Sequence, residues 1–142
     1  MTQEWMQAAA NAAAEQAPVY AELPPVVPGR VIDIDGDMIC YWAGGREDTA
    51  IATSRAMALN KIEFMRERAG AESVMVHLTA DSSTKGDRRI IATVKPYQGQ
   101  RKSGRKPQNW GYLREFLSSY GGPAFKPKVW ATREADDGMC YA

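Results

Sequence analysis

The strongest constraint on folding lies in residues 31–40, which read Val-Ile-Asp-Ile-Asp-Gly-Asp-Met-Ile-Cys. Val31, Ile32 and Ile34 form a short β-branched run. The run breaks at Asp35-Gly36-Asp37, and apolar residues then resume at helix-compatible spacing. This pattern predicts a buried strand ending in a tight turn, with carboxylates at the strand's carboxyl end. In open α/β sheets, ligands bind in the crevice outside those strand ends. A partly buried anion needs a cation or a metal beside it. Three carboxylates in five residues therefore oblige the rest of the chain to supply partners.

The same arrangement recurs twice downstream. Residues 49–69 predict the clearest helix, with Ile51, Ala58, Ile62, Met65 and Ala69 on one face and Gly70 closing it. Residues 73–79 predict a second strand, and Asp81 follows just past its end. His77, the only histidine, sits mid-strand and reads as a packed or edge residue rather than a catalytic base. A helix is expected over 110–120, with Leu113, Phe116 and Leu117 as its apolar stripe, ended by Gly121-Gly122-Pro123. A third strand is expected over 128–132, followed by Glu134-Ala135-Asp136-Asp137. Strand and helix alternation predicts a parallel α/β sheet, and right-handed crossovers bring all three acidic clusters to one edge.

Residues 1–29 read as an alanine- and proline-rich flexible tail, with Pro18, Pro24, Pro25 and Pro28, and the domain begins at Arg30. The 142 residues suffice for one domain with a sizeable core. Cys40 and Cys140 are far apart with no Cys/His cluster, which points to two reduced thiols in a cytoplasmic protein and excludes a zinc site. The sequence has no apolar run of spanning length and no signal-peptide pattern, so no membrane partner is expected. A net charge of +1 hides a strong asymmetry. Residues 85–106 carry eight cations against one carboxylate, net +7, whereas residues 31–50 carry five carboxylates against one arginine, net −4.

Any one acidic cluster is explained by helix caps and solvated turns. Three in succession at strand ends favour a shared site. Asp35, Asp81, Glu134, Asp136 and Asp137 converge without histidine or cysteine, and oxygen-only ligands suit Mg²⁺ or Mn²⁺. Carboxylates around a pair of such ions make a two-metal site for phosphodiester displacement. The basic segment fits the same substrate, since Lys and Arg neutralise phosphates and Tyr97 and Trp110 offer stacking surfaces.

The order Asp-Gly-Asp, Thr-x-Asp-Ser, a Tyr-x-Gly-x-Arg basic loop and Glu-Ala-Asp-Asp resembles the 5′→3′ exonuclease and flap-endonuclease family. Its members include the N-terminal nuclease of bacterial DNA polymerase I and the stand-alone exonucleases of short-tailed phages, the branch that Asp35-Gly36-Asp37 is most similar to. The resemblance covers about residues 30–142. It implies a parallel-sheet, three-layer PIN-like α/β fold with its C-terminal part missing. It also implies a metal-dependent nuclease, acting on DNA or on RNA in hybrids in a bacterial or phage-infected cell. Asp35, Asp81, Glu134, Asp136 and Asp137 would bind two Mg²⁺ or Mn²⁺ ions. Arg89 and Arg101 match residues that contact substrate phosphates, and Lys95, Tyr97, Lys102, Arg105 and Lys106 complete the substrate-binding set. Gln98 stands where the family's Tyr-Lys-x-x-Arg has lysine, a place that Lys95 or Lys102 would fill. The family's further aspartate-bearing strand and helical DNA-binding region are expected from a C-terminal segment or a separate chain. Two other readings stand beside this one. One is a non-catalytic DNA-binding remnant. The other is a haloacid-dehalogenase-type phosphatase, for which Asp33 would be nucleophile and Asp35 the acid.

Overall fold

The computed structural model describes residues 22–94 and 104–141. Lys95, Tyr97, Gln98, Arg101 and Lys102, and residues 1–21 of the expected tail, lie outside them. The described chain is α/β, built on a three-stranded parallel sheet in the order β1-β2-β3. The strands are β1 (Val27–Asp35), β2 (Ala71–Thr79) and β3 (Phe125–Trp130). The helices are α1 (Gly36–Ala43), α2 (Ile51–Arg68), the single-turn α3 (Arg88–Ile91), α4 (Trp110–Ser119) and α5 (Ala135–Met139).

Alternation along the strands separates two faces. Ile34, Val74, Val76, Leu78 and Phe125 point to one face, where Ile39, Cys40 and Ala43 of α1, Ala58 and Ile62 of α2, and Leu113 and Leu117 of α4 complete the core. Cys40 packs there as a small apolar group, and burial pushes its thiol up to about 12. On the opposite face α5 is tied to β2 by the Ala135 N–H, which donates to Thr79 Oγ1 at 2.9 Å. Close approach dictates the β1–α1 junction. A Cβ on Gly36 would stand 2.7 Å from Val76 Cγ1 and 2.8 Å from the His77 carbonyl oxygen.

Two boundaries differ from expectation. β1 starts at Val27, inside the expected tail, because Gly29 at φ +78° lets the chain bulge and the Val27 N–H donates to Gly70 O at 2.9 Å. β3 covers 125–130 rather than 128–132. Pro127 and two lysines mask its apolar signal, and proline is tolerated because β3 is an edge strand. The basic segment that starts at Lys85 opens with a tight turn, Lys85–Asp87, followed by α3.

Candidate metal centre

All three strands deliver their acidic followers to one edge because the sheet is parallel. Asp35 closes β1 and caps α1, accepting from the Met38 N–H at 3.1 Å. Burial raises its pKa above the ordinary 3.8; the Met38 hydrogen bond opposes this, and the charges of Asp37 and Asp136 add to it. Asp35 thus senses carboxylates from both flanking groups.

The first flanking group is organised by a residue that sequence reasoning passed over. Arg114 of α4, only 13% exposed at its side chain, bonds Asp37 and the Thr79 carbonyl oxygen and reaches Asp81 Oδ1 at 3.3 Å. Asp37 Oδ2 also accepts from the Thr79 N–H at 3.1 Å, so this carboxylate pins α1 to the end of β2. Asp81 itself is 93% exposed and, among the described residues, touches the site only through Arg114. It stands outside the tight acidic group.

That group is Glu134, Asp136 and Asp137, each placing one carboxylate oxygen within 4.8 Å of the others. Glu134 is the N-cap of α5, and Asp136 and Asp137 are on its first turn. Arg88 of α3 donates to Glu134 Oε2 at 2.8 Å and also bonds Asp137, while Lys85 Nζ lies 3.7 Å from Glu134 Oε1. The left-handed turn that carries Lys85 and leads into Arg88 is stitched to the chain leaving β3. Gly86 N–H donates to Thr132 O at 2.7 Å, Thr84 N–H to Ala131 O at 3.1 Å, and Ser83 Oγ to Arg133 O at 2.8 Å. Lys85 and Asp87 accept positive φ there, at 54° and 56°.

The donor set fits a hard divalent cation. Oxygens sharing one Mg²⁺ at about 2.1 Å can stand at most about 4.2 Å apart, and those of Glu134, Asp136 and Asp137 all lie within 4.8 Å of one another. Lys85, Arg88 and Arg114 offset three of the six charges of Asp35, Asp37, Asp81, Glu134, Asp136 and Asp137, which leaves an anionic edge.

Below this edge His77 is fully buried. The Trp130 indole N–H can only donate, and it does so to Nδ1 at 2.9 Å, so the proton of a neutral ring sits on Nε2, facing Asp33 Oδ1 at 2.7 Å. His77 is a packed residue, as its mid-strand place suggests. Of the substrate-binding candidates, Arg89 is exposed on α3. Arg105 is exposed and pairs with Glu47 at 2.5 Å. Lys106 Nζ lies 3.8 Å from the Trp110 ring centroid, and Arg114 Cζ lies 4.7 Å from it. The partly buried Trp110 thereby links the basic segment to the acidic edge. No family model, curated protein or solved structure matches this chain.

Proposed function

We propose that the chain is a divalent-metal-dependent nuclease domain of the 5′→3′ exonuclease and flap-endonuclease type. The three-stranded parallel sheet is compatible with a PIN-like, three-layer arrangement. The observation that carries the reading is the triad Glu134, Asp136 and Asp137, with oxygens within 4.8 Å and Asp35 beside it, at the carboxyl edge of a parallel sheet. These four residues would hold Mg²⁺ or Mn²⁺. When bound, such ions generate a hydroxide nucleophile and steady the leaving oxygen of a phosphodiester.

The chain's own residues do the rest. Arg114 fixes Asp37 and the end of β2, which keeps the edge in register with α1. Arg88 and Lys85 neutralise Glu134 and Asp137 until a metal competes for the same oxygens. Arg89, Arg105 and Lys106 would take substrate phosphates, with Lys95, Arg101 and Lys102 extending the same basic segment. Asp33, the nucleophile that a haloacid-dehalogenase-type phosphatase would require, is engaged by His77, which weighs against that alternative.

The test is a 5′-labelled flap and duplex DNA incubated with excess protein and millimolar Mn²⁺, beside an Asp136→Asn control. Slow release from the 5′ end that the control abolishes is the expected result. Release that persists in the control contradicts the assignment. DNA binding without any release selects the non-catalytic DNA-binding reading instead.

A further inference from the structure

We propose that Trp42 and Phe64, with Lys61 and Arg68, form a stacking surface for the bases of unpaired nucleic acid, separate from the carboxylate edge. The core uses Ile39, Cys40 and Ala43 of α1 and leaves Trp42 outside, 51% exposed. Phe64 of α2 is 52% exposed. Scattered surface aromatics are ordinary, but these two share a cation. Lys61 Nζ lies 5.2 Å from the Trp42 ring centroid and 5.5 Å from that of Phe64. Arg68 Cζ lies 5.6 Å from the same Phe64 ring.

Lys61, Phe64 and Arg68 follow one another at i, i+3 and i+7, so they form one stripe along α2. The carboxylates that flank the stripe on α2, Glu63 and Glu67, both act on Arg66, Glu63 by direct bonds. Exposed rings interleaved with cations match the requirements of a single strand, since every base has a face to stack and every phosphate a charge to neutralise. A protein partner would favour a surface depleted of charge at its centre. Position supports the same occupant. α1 begins at the acidic edge, and a rise of 1.5 Å per residue places Trp42 about 7.5 Å beyond Asp37 along the axis, roughly two stacked nucleotides.

This inference deepens the nucleic-acid half of the proposed function and is independent of the metal half. It is therefore tested in chelator, by fluorescence anisotropy of the full chain with a labelled oligothymidylate and a blunt duplex of equal length. The double substitution Trp42→Ala, Phe64→Ala should weaken single-strand binding about tenfold or more and duplex binding less than twofold. Trp42→Phe alone should keep most of the affinity. Lys61→Gln, which spares both rings, should lower the single-strand salt slope by about 0.7. Unchanged single-strand affinity in the double variant, or an equal loss on both substrates, overturns the proposal. So does a self-associating parent that the double variant renders monomeric with oligonucleotide binding intact. A parent that binds duplex alone defeats only the stacking surface. A parent that binds neither at low salt defeats the nucleic-acid reading as well.

Discussion

Arg114 holds the Asp37 carboxylate, the Thr79 carbonyl and the Asp81 side chain with one guanidinium, so its removal strands a partly buried anion. Charge-assisted hydrogen bonds of this kind contribute about 1.5–3 kcal/mol, and a broken buried pair costs more than its making gains. Arg114→Leu should therefore lower stability by roughly 2–3 kcal/mol in urea unfolding, whereas a loss under about 0.5 kcal/mol would mean that solvent already screens the pair. Asp35 makes a prediction of opposite sign. Its folded pKa is raised above 3.8, so between the two values the native state keeps a proton that the unfolded chain has lost. Stability then falls as pH rises through that window. Asn caps a helix as well as Asp does, so Asp35→Asn should match the parent below about pH 4 in chelator and be the more stable form towards neutrality. A variant less stable at every pH would show that the Asp35 charge is compensated. Asp37 was legible as a carboxylate in need of a partner, whereas Arg114 was not legible as that partner. An arginine off the apolar stripe of a helix looks solvated, and only the tertiary fold shows that α4 crosses the end of β2.

At the level of elements, β1 and β2 were readable from their apolar, β-branched runs, and α2 from Ala58, Ile62 and Met65 on its inner face with Gly70 past its end. β3 starts three residues and ends two residues before its expected bounds, since Lys126-Pro127-Lys128 looks like a loop when no neighbouring strand is in view. The acidic edge was foreseeable from parallel topology alone, whereas the order of its members was not. A residue's place after a strand says nothing of where its side chain points, which is why Asp81 stands apart while Glu134, Asp136 and Asp137 gather. The short α5 depends on close packing. A Cβ on Gly138 would lie 2.2 Å from Trp130 Nε1, the atom that bonds His77. Gly138→Ala should displace that indole and cost about 1–3 kcal/mol, read as a lowered melting temperature with a changed tryptophan emission. An unchanged melt would mean that α5 shifts freely.

Across the whole molecule, an anionic edge and a basic segment oppose each other on a chain of net charge +1. Among the described residues no helix is long and apolar enough to cross a membrane. Binding that rests on the basic segment should be salt-dependent and indifferent to sequence. Replacing Arg101, Lys102 and Arg105 together should flatten the log–log salt slope by about two to three units, and a slope that stays put would reduce the segment to a solvated surface. The claim on which the rest depends is that the edge holds a divalent metal through Glu134 and its neighbours. Calorimetric titration of Mn²⁺ into the metal-free chain reads this directly, run in parallel on Glu134→Gln. The parent should bind saturably at one or two sites, with its melting temperature rising as occupancy grows, and Glu134→Gln should lose both the heat and the shift. No saturable heat from the parent, or an identical titration from the variant, would contradict the assignment of a metal centre to this edge.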